Sequence, residues 1–157
     1  MPDADVIVDA LNVAYWAGSP PDLRLPLALM TDLLQRGRHV LLFFDASATY
    51  RLSEADRLVY ERMRQSPEVI QVRSGEPADR AMLKYVRSAG GCIVSRDRFA
   101  DHRRRFRKLI DDPARLLGGA VAHDTLHVPG LGVSAPLATS SQEAWQRALA
   151  ASARISR

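Results

Sequence analysis

Val6-Ile7-Val8-Asp9-Ala10-Leu11-Asn12 is a short β-branched run that stops on an acid and a polar turn. Consecutive apolar residues without alternation read as a strand buried on both faces, and Asp9 to Asn12 reads as the turn that closes it. Outward from this segment the same pattern recurs. Val40 to Phe44 is a second unbroken apolar run, closed by Asp45, and Val69 to Val72 is a third. Cys92-Ile93-Val94 is a fourth, closed by Ser95-Arg96-Asp97. Helical patterns lie between these runs. Leu27, Met30, Leu33 and Leu34 recur at helical spacing between Leu25 and Arg36, with Pro26 in the first turn and Gly37 as the stop. Ser53 caps a helix that runs to Gln65, with Asp56 three residues on and Leu58, Val59 and Met63 on one side. Pro77 opens a third helix with Ala78, Ala81, Met82, Tyr85, Val86 and Ala89 as its apolar face, and Gly90-Gly91 ends it.

Strands that are apolar throughout, joined by amphipathic helices, predict an α/β fold in which a parallel sheet is covered on both faces. The expected result is a three-layer α/β/α sandwich with right-handed crossovers. Past Phe106, Ala120 to Ala122 and Thr125 to Val128 read as short edge strands, and Gly130 to Ser140 as a loop or linker. Ser141 to Ala153 reads as a last helix with Trp145, Ala148 and Leu149 on one face. The expected organisation is one domain over 1–130, followed by a linker and C-terminal helix over 131–157 that packs on the domain or on a second subunit.

With 157 residues, 46% of them hydrophobic and 6% aromatic, the chain is long enough to close one hydrophobic core. No uncharged apolar run approaches membrane-spanning length. The start, Met1-Pro2-Asp3-Ala4-Asp5, is acidic where a signal peptide is basic, so the expected location is the cytoplasm and not a membrane. The single cysteine, Cys92, excludes an internal disulfide and reads as a small buried hydrophobe. His39, His102, His123 and His127 show no close metal-ligand spacing; His123 and His127 have no glutamate between them and run into Pro129-Gly130. The net charge is +4, but Arg96 to Lys108 holds seven basic residues against Asp97 and Asp101, leaving the rest of the chain about neutral. Such a concentration fits either a phosphate-rich partner or a solvated helix face.

The acids fall in a pattern of their own. Asp9 ends the first strand, Asp45 the second, and Asp97 lies three residues past Val94; Asp79 sits in the first turn of the helix after Gly75-Glu76-Pro77. In an open parallel sheet these positions share the carboxyl edge, where ligands bind. Singly, each has a local explanation in turns, caps and the helix dipole. Together they repel one another unless a cation offsets them, and hard divalent ions such as Mg2+ and Mn2+ take oxygen ligands of this kind. Asn12 can fix a carboxylate, meet a phosphate, or simply make the turn.

Val8-Asp9-Ala10-Leu11-Asn12-Val13-Ala14, Ala78-Asp79-Arg80, and Ile93-Val94-Ser95-Arg96-Asp97-Arg98-Phe99-Ala100-Asp101 together resemble a PIN-like nuclease of the NYN type, most closely the Zc3h12a-like or Regnase ribonuclease domain. That family carries an Asp-Gly-Ser-Asn-Val-type motif after its first strand, an Asp-Asp-Arg motif opening a central helix, and a Ser-Asn-Asp-x-x-x-Asp motif after its fourth. The resemblance covers about Asp5 to Pro129. It implies a PIN-like sheet ordered 3-2-1-4-5, a Mg2+ (or Mn2+) requirement, and endonucleolytic cleavage of single-stranded or looped RNA at an acidic cluster of Asp9, Asp79, Asp97 and Asp101, with Asn12 in support. The chain departs from the family at Ala78, where the first acid of the Asp-Asp pair stands, at Arg96 in place of asparagine, and at Ala10-Leu11 in place of Gly-Ser. Glu76 lies close enough in sequence to compensate for Ala78, and these residues offer no expected counterpart of the animal relatives' zinc finger.

The expected mechanism places one or two metal ions on Asp9, Asp79 and Asp97, with Asp45 or Asp101 closing the shell through water. Arg96, Arg98, Arg103, Arg104 and Arg105 form a rim that attracts the polyanion, with Arg51 after the second strand as a further candidate. Lys84 reads as a solvated surface residue, while Tyr15 and Trp16 fit either base stacking or packing against the helices. Three rivals stand beside this reading. Ala78 and the basic run favour an RNA-binding protein that is weak or silent in catalysis, and a DNA- or structure-specific nuclease would share the fold. A phosphatase or nucleotide-binding protein lacks its glycine-rich signature here. A homodimer and an antitoxin-like partner are left open.

Overall fold

The computed structural model describes residues 5–155; Met1 to Ala4, most of the acidic start, lie outside the described residues. Five strands form a parallel sheet: β1 (Val6–Asp9), β2 (Val40–Phe44), β3 (Val69–Gln71), β4 (Cys92–Val94) and β5 (Leu116–Leu117). Their order is β3-β2-β1-β4-β5, as expected from the family resemblance. β1 is central, with Asp9 opposite Phe43 of β2 and Val8 opposite Val94 of β4. Val6, Ile7 and Val8 are each fully buried, because helices cover both faces.

Alternation along β1 divides the core. Val6 and Val8 face a layer made by α1 (Ala10–Ala14), α2 (Arg24–Gln35), α3 (Ala48–Arg51), α4 (Glu54–Met63) and α7 (Ser141–Ile155). Ile7 faces the opposite layer, where α5 (Ala78–Ala89) and α6 (Arg103–Ile110) bring Met82, Leu83, Val86 and Phe106. Asp9, two residues beyond Ile7, falls on the α5 side. The Ser53 hydroxyl accepts from the Asp56 N–H and caps α4 as expected. Leu58, expected on the apolar side, is instead 68% exposed: it neighbours Val59 in sequence but lies about 100° around the helix from it.

Beyond the fourth strand the sequence reading needs correction. The fifth strand is the two-residue β5. Ala120–Ala122 (β6) and Thr125–Val128 (β7) are not edges of the main sheet; they form a separate antiparallel sheet, ordered β6-β7-β8. Its third strand, β8 (Val133–Pro136), arises within the segment read as a linker, and Val133 and Ala135 turn inward onto the core beside α2. In α7, Trp145 and Ala148 are buried but Leu149 is 48% exposed.

The two ends of the main sheet differ in how their charges are settled. At the amino edge, Asp5 pairs with His39 and accepts from the Tyr85 hydroxyl at 2.6 Å, which pushes the Tyr85 phenol up to about 12. Gly91 passes this point with φ +94°, and a Cβ there would lie 2.0 Å from the Asp5 carbonyl oxygen. Gly91→Ala should therefore lower stability by about 2 kcal/mol or more, read as a fall in the thermal midpoint. Cys92 is buried, and burial pushes its thiol up. Among the described residues no helix is long and apolar enough to cross a membrane.

Candidate active site at the carboxyl edge

Asp9 ends β1 and precedes α1, so its backbone leaves the sheet just where its side chain reaches the α5 face. Ser95, the first residue after β4, binds this carboxylate to the next loop. Its hydroxyl donates to Asp9 Oδ2 at 2.7 Å and accepts from the Asp97 N–H at 3.0 Å. Asp97 Oδ1 in turn accepts from the Phe99 N–H at 2.7 Å, and Phe99, in a left-handed conformation with φ 52°, buries its ring under the loop. Asp79 stands in the first turn of α5, where it accepts from the Arg80 N–H at 2.9 Å and pairs with His102 Nε2 at 3.0 Å.

Electrostatically Asp9 is the centre. Its carboxyl is pushed from 3.8 up to about 7, chiefly by burial, with Asp97 and Asp79 adding repulsion and the Ser95 hydroxyl and the Asn12 backbone N–H opposing. Asp9, Asp79 and Asp97 thus form one coupled set. The other two expected acids are placed differently. Asp45 accepts from the Ser47 N–H at 2.9 Å in the turn before α3, and Asp101 is exposed in the Ala100–His102 turn.

These observations bear on a metal. The donors are hard oxygens, and the hydrogen bonds from Ser95 and Asn12 do not outweigh the burial and repulsion at Asp9, so the set suits a divalent cation in chemistry. As arranged, no group of three or more Asp, Glu, His or Cys side chains among the described residues is gathered closely enough to hold one.

A family model described as the Zc3h12a-like ribonuclease NYN domain matches residues 3–130. The chain belongs to this family. Among solved structures, the NYN chain is similar to Arabidopsis thaliana nuclear protein-only RNase P 2, with a TM-score of 0.63 and 15% identity. That match covers 88% of this chain but only 31% of the other, and it is a likeness of fold. No curated protein matches the chain.

Two departures of this NYN domain from the family motifs now have a structural setting. Ala78 is buried in the core on the α5 side of the sheet, and Glu76 is exposed in the preceding turn. Arg96 lies over the Trp16 ring, 4.9 Å from its centroid, and donates from Nε to the Gly119 carbonyl at 3.0 Å.

The remaining basic candidates divide by partner. Arg103 is held by Asp111 through two contacts of 2.9 and 3.0 Å, so its charge is largely offset. Arg105 lies 5.8 Å from the Phe106 ring centroid, with Arg87 at 4.6 Å. Arg51 donates to the Ser47 hydroxyl at 2.9 Å, while Arg98 and Arg104 are exposed. Sequence reasoning missed the roles of Ser95 and His102. Ser95 was signalled by its place in the third motif; His102 had no signal beyond following Asp101.

Proposed function

We propose that the chain is a Mg2+- or Mn2+-dependent endoribonuclease acting on single-stranded or looped RNA. The observation that carries this reading is the acidic set at the carboxyl edge, where Ser95 ties the Asp9 carboxylate to the Asp97 loop and burial, with the charges of Asp97 and Asp79, pushes the Asp9 carboxyl up to about 7. A carboxylate this unfavourable in isolation is suited to a bound cation. Asp9, Asp79 and Asp97, not gathered closely enough to hold an ion as their side chains stand, would have to close on it. When bound, it supplies Lewis-acid polarisation of the phosphate and water made acidic enough to attack at neutral pH.

The chain's own residues do the rest. Ser95 orients Asp9 and fixes the backbone of Asp97, and His102 holds Asp79 toward the α6 side. Exposed Arg98 and Arg104, near Asp97 and Asp101 in sequence, attract the polyanion. In the hydrolysis, a water oxygen joins phosphorus and the bond to O3' breaks, leaving a 5'-phosphate and a 3'-hydroxyl.

Purified protein should cut a labelled single-stranded RNA with Mg2+ or Mn2+ and lose at least about a hundredfold in rate with EDTA. Equal cutting of single-stranded DNA would move the reading to a DNA or structure-specific nuclease. A second reading, RNA binding without cleavage, is favoured by the buried Ala78 in place of an acid. Salt-sensitive binding with no cutting at any metal concentration would establish it.

A further inference from the structure

We infer that Arg96 is a preset phosphate grip of the RNA site, and that Asn12, Trp16 and Gly119 are the residues that set it. The inference rests on the RNA reading above, but its observations are separate. Arg96 is exposed, yet it is fastened at three points. Its backbone N–H donates to Asn12 Oδ1 at 2.9 Å, its Nε donates to the Gly119 carbonyl at 3.0 Å, and its guanidinium lies over the Trp16 ring.

Trp16 has no free ring for a nucleobase. It is only 8% exposed, Arg96 covers it, and its indole N–H donates to the same Asn12 oxygen at 3.0 Å. Asn12 Oδ1 thereby takes two donors and uses both lone pairs. In this chain the asparagine amide acts as a clamp between the first and third motifs.

Gly119 completes the arrangement. A Cβ there would lie 2.2 Å from the His127 carbonyl oxygen and 2.7 Å from Trp16 Cζ3. Only glycine lets this strand connection come close enough to offer its carbonyl to Arg96.

The consequence is a charged fork whose freedom is already spent. A flexible surface arginine loses rotamer entropy when it binds, and one held at Nε and stacked on a ring has less to lose. Its two terminal amino groups have no partner among the described residues, and two parallel N–H donors fit phosphate oxygens. Arg96 also stands between Ser95 and Asp97, the residues that bind the Asp9 loop together, so the fork is carried by the same turn as the acids. Arg103, by contrast, already holds Asp111.

The test combines steady-state cleavage with salt-dependent binding of a labelled single-stranded oligoribonucleotide, the latter measured in EDTA. Arg96→Ala should raise KM about tenfold with kcat within about twofold, and make the salt slope of binding shallower by about one. Arg96→Lys, which keeps the charge but not the fork, should fall between. Asn12→Ala should raise KM in the parent and add nothing to Arg96→Ala, since both act through one side chain. A parent that cuts RNA while Arg96→Ala leaves KM and salt slope unchanged would overturn the inference, the more so if only its melting temperature falls. A parent that binds without cutting overturns the catalytic reading and leaves the binding arm to decide Arg96.

Discussion

Asp9→Asn is expected to abolish RNA cleavage, by about a thousandfold or more, while raising the melting temperature near neutral pH. Both effects have one cause. The Asp9 carboxyl sits at about 7 in the fold against 3.8 as a free group, because burial and the neighbouring Asp97 and Asp79 disfavour its charge. Between about pH 4 and 7 the folded state therefore holds more proton than the unfolded one, and stability falls as pH rises through that window. Above it the protein carries a desolvated carboxylate, at a cost on the order of 4 kcal/mol. Asparagine keeps an oxygen for the Ser95 hydroxyl and removes that cost. The gain should be full near pH 8 and vanish near pH 4, measured by thermal unfolding at both. Mg2+ should then stabilise the parent at pH 8 and not the variant, because only the parent retains the ligand charge. A variant that still cuts in a metal-dependent way would remove Asp9 from the site. A variant less stable than the parent at both pH values would mean that the carboxylate is already compensated without metal.

The same residue shows what sequence can and cannot convey. Asp9, Asp79 and Asp97 were legible because parallel-sheet topology gathers the ends of strands and the starts of helices at one edge, and unbroken apolar runs mark those strands plainly. β5 was not legible from periodicity, since two leucines after Asp112-Pro113 carry no period. β8 was masked by Gly130, Gly132 and Pro136, which read as turn residues although Val133 and Ala135 alternate inward. The pairing of His102 with Asp79 depends on how α6 docks beside α5, which no local pattern encodes. Likewise the charge run at Arg96 was visible, but its attachment to Trp16 and Gly119 joins three segments far apart in the chain.

A chain ended at residue 130, where the family match stops, is expected to lose cooperative unfolding altogether. Every residue of β7 pairs with β8, so its removal strips one edge of the second sheet and uncovers Leu126 and Val128, both fully buried in the whole chain. Removing α7 takes away Ala144, Trp145, Ala148 and Ala151, which belong to the same core cluster as Val6 and Val8 of the central strand. Polar ties go with them. Arg36 donates to the Leu131 and Gly132 carbonyls at 3.1 and 2.9 Å, and Arg24, paired with Asp22, donates to the Ala138 carbonyl at 3.0 Å. Trp145→Ala gives the graded version, about 3–5 kcal/mol for a large side chain that is 6% exposed, or a fall of roughly 10 °C. Circular dichroism melts of the two variants decide the matter. A truncated chain that still unfolds in one sharp transition near the parent's midpoint would make residues 131–157 an appendage. Loss of the transition would mean that the stretch beyond the family match holds up the face of the sheet on which Asn12 and Trp16 are built.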